Sequence, residues 1–203
     1  MAVGRSLDVQ LAPELHRLFF PLFQEGVDVE VEVGCSIKQL LTEQFGIHAD
    51  YLANRITTLF LNSRAVDDAA TSLVNDGAVL ALSGAMPGLV GATMRSGGYY
   101  AAMRGAMTYR NTEGIPTVKR GVIRLKLFNL LLEELGPRLL QRGILLPAAR
   151  LKAFLDTLPE QLRVRGYWLN DCPQPVEQFR QGTDFPDDAE TLRLRVQFGD
   201  ESP

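Results

Sequence analysis

The sequence predicts an α+β protein in two parts joined by a glycine- and methionine-rich segment. Three observations predict it. Val27 to Val33, VDVEVEV, and Thr191 to Phe198, TLRLRVQF, alternate apolar and polar residues with the period of two that places one face of a strand in a core. The runs from Ile37 and from Leu130 space their apolar residues at the helical period. Between these parts, Gly84, Gly88, Gly91, Gly97, Gly98 and Gly105 gather six of the 18 glycines of the chain, and Met86, Met94, Met103 and Met107 four of its five methionines.

Composition sets the outer limits. With 203 residues and 22.5 kDa, folding can remove about 23,000 Å² from water, ample for one large domain or two small ones. The 46% hydrophobic and 22% charged residues are ordinary globular values. No stretch reaches the roughly 18 to 20 apolar residues of a membrane helix, so no membrane partner is expected. A net charge of −3 offers no general attraction to nucleic acid or to an anionic surface. Met1 to Ser6 carries one Arg and no apolar run, which predicts no secretory signal and a cytoplasmic chain. Cys35 and Cys172 lie far apart without a CxxC; two buried or idle thiols are expected, with no metal site.

The catalytic inventory is thin. Only His16 and His48 are present, His16 within Leu15-His16-Arg17-Leu18-Phe19-Phe20, where a structural role is expected. GxSxG, HExxH, GxxxxGK[ST] and a strand-anchored GxGxxG are all absent. Asp67-Asp68, Glu133-Glu134 and Asp187-Asp188 are adjacent carboxylates, which point apart on a strand or helix and read as solvated turns and faces. No cofactor and no catalytic residue is implied.

In chain order, Leu7 to Leu11 and Val27 to Val33 read as half-buried strands. Gly34 ends the second, Ser36 caps a helix carrying Ile37, Leu40, Leu41 and Phe45, and Gly46 stops it. Thr57 to Asn62 is an apolar strand, Asn62-Ser63-Arg64 and Asp76-Gly77 are turns, and Ala78 to Leu82 is a buried strand. The order is ββαββ.

Over residues 7 to 91 this pattern resembles the β-grasp sulfur carriers, the small subunit of molybdopterin synthase and the thiamine-pathway sulfur carrier. The resemblance rests on Ser36-Ile37-Lys38-Gln39-Leu40-Leu41 opening the helix, Phe60-Leu61-Asn62 ending a strand, and Val66-Asp67 followed by Leu73 to Leu82 with its Asp76-Gly77 turn. It implies a ubiquitin-like sheet wrapped on one helix. Those carriers end in a free diglycine that is adenylated and thiolated. Here Gly97-Gly98 is followed by further chain, so a carrier role requires cleavage after Gly98.

The segment itself offers flexible methionines, the large amphipathic rings of Tyr99 and Tyr100, and Arg95, Arg104 and Arg110 as partners for a carboxylate or phosphate. Two readings stand: a binding segment using Met86, Met94, Arg95, Gly97, Gly98, Tyr99, Tyr100, Met103 and Arg104, or a linker, with a short helix from Tyr99 to Met107, whose methionines cement two domains.

After Gly114-Ile115-Pro116, Val122 to Phe128 alternates as a strand. Asn129 caps a helix from Leu130 to Gln141, with Leu131, Leu132, Leu135, Leu139 and Leu140 as its apolar stripe; Gly136-Pro137 is expected to kink or divide it. Gly143 ends that run, and Pro147 opens a second helix carrying Leu151, Phe154, Leu155 and Leu158. Tyr167-Trp168-Leu169 is a short apolar piece, residues 171 to 188 read mostly as loop, and Thr191 to Phe198 closes the chain as a strand antiparallel to the one at 122 to 128. That pairing places Arg124, Lys126, Arg193 and Arg195 on one sheet face, an anion or acidic-partner site unless Glu133, Glu134, Asp187 and Glu190 balance it. Only Phe128 and Phe198 interleave these charges, too few aromatics for RNA.

The expected organisation is a β-grasp domain over 1–91, a connector over 92–114, and a small α+β domain over 115–203 with two helices and an antiparallel strand pair. The expected function is a non-catalytic protein-binding or adaptor protein linked to sulfur or cofactor metabolism, with a protein partner or a second copy and no nucleic acid. A sulfur-carrier precursor and an enzyme subunit with an anion site at the connector are the alternatives.

Overall fold

The computed structural model of the chain describes residues 5–86, 88–100, 104, 108–109, 117–159, 162–181, 185 and 187–199. Among them are ten strands and seven helices, an α+β protein. The strands are β1 Arg5–Leu11, β2 Val27–Val33, β3 Thr58–Leu61, β4 Arg64–Ala65, β5 Val79–Ser83, β6 Lys119–Phe128, β7 Ile144–Pro147, β8 Val164–Leu169, β9 Cys172–Pro173 and β10 Thr191–Phe198. The helices are α1 Phe20–Glu25, entered through a 3₁₀ stretch at Pro13–Phe19, α2 Ile37–Gln39, α3 Ala49–Arg55, α4 Gly88–Met94, α5 Leu130–Arg142, α6 Ala148–Asp156 and α7 Val176–Gln181. Two compact units result, Phe23–Glu134 and Met1–Leu22 with Leu135–Pro203.

In the Phe23–Glu134 unit the strand order is β4-β3-β5-β6-β2, with β5 parallel to β6 and the other neighbours antiparallel. The alternation of β2 does what period two requires: Val27, Val29, Val31 and Val33 are buried. Its helix begins in a reciprocal cap, the Gln39 N–H donating to Ser36 Oγ at 3.1 Å and the Ser36 N–H to Gln39 Oε1 at 3.1 Å. After one turn the helix widens into a π-helical stretch at Leu40–Gln44, with Ile37, Leu40 and Leu41 fully buried.

In the other unit the order is β7-β10-β1-β8-β9, with β1 parallel to β10 and the remaining pairs antiparallel. Leu7, Val9 and Leu11 of β1 and Leu192, Leu194 and Val196 of β10 form the core rows, joined by Phe19, Phe154 and Tyr167.

Several expectations are corrected. Leu7–Leu11 does not pair with β2; its neighbours are β10 and β8. Nor do Val122–Phe128 and Thr191–Phe198 form an antiparallel pair: β6 lies between β5 and β2, and β10 between β7 and β1. Alternation reports which face a strand buries and says nothing about its neighbour. Gly136-Pro137 does not divide α5, which is continuous from Leu130 to Arg142. Burial of Leu131, Leu132, Leu135, Leu139 and Leu140 outweighs the one hydrogen bond that Pro137 removes. The adjacent carboxylates at 67–68, 133, 187 and 188 are exposed, as read from the sequence, and three of the six also form ion pairs: Asp67 with Arg104, Glu134 with Arg55 and Asp188 with Lys152. The stretch read as loop holds β9 and α7, and Ile144–Pro147, between two helices, is strand β7.

Candidate functional site

After β5 the chain turns at Ser83 to Ala85, where Asn129 donates its Nδ2 to Ser83 Oγ at 2.9 Å and to the Ala85 carbonyl. Helix α4 follows. Gly91 is buried in it, and a Cβ there would overlap the Met86 carbonyl, so only glycine lets the chain fold back this tightly. Leu89 and Val90 of the same helix stand 69% and 60% exposed.

The end of α4 is tied to the rim of the sheet. The Ser96 N–H donates to the Thr57 carbonyl at 3.0 Å, and Ser96 Oγ to the Val66 carbonyl at 2.6 Å. The diglycine is part of this turn: the Gly97 N–H reaches Asp67 Oδ1 at 3.3 Å and the Gly98 N–H the Arg95 carbonyl at 3.2 Å. Gly97 is exposed, with φ +61°, and Gly98 is half-buried.

Arg104 closes the arrangement. It is 2% exposed; Nη1 donates to the Met94 carbonyl at 2.8 Å and Nη2 to Asp67 Oδ1, while Nε is buried without a hydrogen-bond partner. One carboxylate, Asp67, therefore holds the diglycine turn and the buried guanidinium together. Farther on, Thr108 bridges Ala65 in parallel and the Tyr109 N–H donates to the Ala65 carbonyl at 2.8 Å. The segment covers the edge beside β4, where unpaired strand groups would invite association.

What this frame presents to solvent is apolar. Of the six large apolar or aromatic side chains exposed among the described residues, Leu89, Val90, Tyr99 and Tyr100 belong to this segment; the others are Val118 and Leu130. Tyr99 is 93% exposed, its ring edge-on to Tyr100 at 5.1 Å. Met86 and Met94 are half-buried and Arg95 is exposed, whereas Met103 lies outside the described residues.

The four basic residues expected to form an anion site are not brought together as one antiparallel pair, and two of them meet carboxylates in register. Arg124 and Asp28 are opposite on β6 and β2 and pair in a bidentate manner at 2.8 and 3.1 Å, which holds the guanidinium pKa above its ordinary value. Arg195 and Asp8 are opposite on β10 and β1, at 2.6 and 2.9 Å. Lys126 and Arg193 are half-buried beside them. Two open clefts of about 560 and 590 Å³ are lined by Gly34, Asn62, Asp76 and Lys119 and by Glu14, Leu162, Arg163 and Arg165; none of the described residues of the 84–109 segment lines either.

His16 Nδ1 lies 2.7 Å from the Pro13 carbonyl, and the His48 side chain caps α3. Cys172 is exposed, and burial pushes the half-buried Cys35 thiol up from its ordinary value. Among the described residues, no group of three His, Cys, Asp or Glu could hold a metal ion and no helix is long and apolar enough to cross a membrane. The sequence pointed to the segment through its clustered glycines, methionines and tyrosines. Asp67 was missed, although Val66-Asp67 was already singled out. No family model, curated protein or solved structure matches the chain.

Proposed function

We propose that the chain is a non-catalytic protein-binding protein that meets its partner through Leu89, Val90, Tyr99 and Tyr100. The observation that carries this is the presentation of four large apolar side chains by a segment that is itself fastened at Asp67, Ser96 and Arg104. Exposed apolar groups on a mobile tail pay ordering entropy on binding; on a fastened frame most of that cost is met by folding. Tyrosine adds contact area with few torsions to fix.

The run from β2 through α2, β3, β4 and β5 supports a β-grasp reading of this unit, with β6 rather than β1 as the partner of β2. A carrier role draws its support from the resemblance and requires both cleavage after Gly98 and release of the two hydrogen bonds that hold the diglycine.

The test is a photo-crosslinking residue placed at Tyr99, with the exposed Cys172 position as control, in the native cell. A discrete adduct at Tyr99 absent from the control is the expected result. An adduct of twice the chain mass identifies the partner as a second copy. Equal labelling at both positions, or none, refutes the proposal.

A further inference from the structure

We propose that the cleft at the end of β1 and the start of β8 binds a short apolar zwitterion of the size of a dipeptide, its ammonium held at Glu14 and its carboxylate at Arg163.

A break in the strand ladder opens this cleft. β1 and β8 pair in antiparallel register from Leu7 opposite Leu169 to Gln10 opposite Gly166, and the next pair is Leu11 with Val164, so Arg165 is the extra residue of a β-bulge. A bulge bends its strand and re-aims the side chains beside it. The bulged Arg165 donates from Nη1 to the carbonyl of Gly199, just past β10, which fixes the start of β8. On the other side Pro13 opens the 3₁₀ stretch, and the Leu15 N–H donates back to the Ala12 carbonyl at 3.1 Å. The chain entering β8 is turned by the Leu162 N–H, which donates to the Pro159 carbonyl at 3.0 Å. Both turns line the cleft, whose volume of about 590 Å³ lies within the range of about 300 to 1,000 Å³ typical of small-molecule sites. All of its lining belongs to the unit of Met1–Leu22 with Leu135–Pro203.

The lining has two kinds of surface. Ala12 is buried, and Leu15, Leu162 and Val164 are half-buried. Apolar groups are thus left partly open to solvent inside a concavity, where an apolar body would displace water. Glu14 and Arg163 line the same cleft and are exposed. No ion pair engages either of them among the described residues, whereas Arg195 and Asp8 of the same unit hold each other at 2.6 Å. A carboxylate and a guanidinium that share a cleft without neutralising each other select for both charges in one ligand. A simple anion would meet Arg163 and be repelled by Glu14, and a simple cation the reverse. An uncharged apolar molecule would take water from both groups and return no hydrogen bond. An apolar zwitterion serves all three surfaces: its carboxylate suits the planar fork of an arginine, its ammonium the carboxylate of Glu14, and its side chains the floor.

The experiment titrates the full chain with leucyl-leucine and follows the amide chemical shifts of Leu15, Leu162 and Val164. Saturable shifts are expected, with a dissociation constant on the order of 1 mM or below. N-acetyl-leucyl-leucine lacks the ammonium and leucyl-leucinamide the carboxylate; each is expected to bind about three- to fivefold more weakly, since each forgoes one exposed ion pair. Glu14→Gln and Arg163→Gln change exposed positions, so the fold is retained. The first is expected to abolish the preference for a free ammonium and keep that for the carboxylate, and the second the converse. Absence of saturation up to about 10 mM, capped peptides that bind the parent chain as well as the free one, or preferences that survive these substitutions overturn the proposal.

Discussion

Replacing Asp67 by Ala separates the fastening of the exposed segment from the folding of the sheet beneath it. Arg104 has a side chain 1% exposed, and without Asp67 the partner left to its guanidinium among the described residues is the Met94 carbonyl. Breaking a buried ion pair from one side costs about 3–5 kcal/mol, because the surviving charge stays desolvated. Asp67 is itself 36% exposed, which places the cost near the lower end, at about 3 kcal/mol. The molecule avoids this by letting the segment lift and Arg104 reach water, so the cost appears as easier local opening. At about 1.4 kcal/mol per factor of ten, hydrogen exchange at the Ser96 and Tyr109 amides, bonded to Thr57 and Ala65, is expected to accelerate about a hundredfold. The β2 and β6 amides, whose pairing does not involve Asp67, are expected to exchange as in the parent. Exchange of Ser96 and Tyr109 within about threefold of the parent, at a signal no greater than the neighbouring sheet, would refute the reasoning that Asp67 holds the segment.

Gly26→Ala and Gly143→Ala each force a Cβ into left-handed backbone and against arginine stems at 2.9 to 3.1 Å; each is expected to cost about 2–3 kcal/mol in urea unfolding, and the two values are expected to agree within about 1 kcal/mol. A large loss at one and none at the other would show that positive φ and the crowding arginine stems do not set the cost. The bond from Arg55, seconded by Tyr51, holds the Glu134 carboxyl below its ordinary range. Its folded value is depressed, so its contribution is present above the unfolded value and is lost as pH falls through the folded one. The melting temperature of Glu134→Gln is therefore expected to fall less than that of the parent between about pH 5 and pH 3, and parallel curves would show that the pair adds nothing.

How much was legible can be followed at particular residues. The valines of β2 and the Ser36-Gln39 cap were readable because both are local: a period of two, and a side chain three residues from the N–H it accepts. Strand β7 was hidden by its shortness between two helical stripes, where four apolar residues fit either period. The segment around Tyr99 was legible through composition, since exposed tyrosines and clustered glycines are costly unless used. Its fastening was not, because Asp67 and Arg104 are 37 residues apart and ion pairing across that distance leaves no periodic mark.

The sequence by itself determined the α+β class, which faces of the strands and helices are apolar, and where the turns must fall, since all of these follow from side-chain period and from residues that tolerate particular φ. Only the tertiary structure decided the partners. Whether β1 pairs with β2 or with β10, whether Arg124 faces an anion or Asp28, and whether Gly97-Gly98 is a tail or a turn depend on backbone groups that are alike at every residue. Pairing among such groups is selected by the packing of the whole chain.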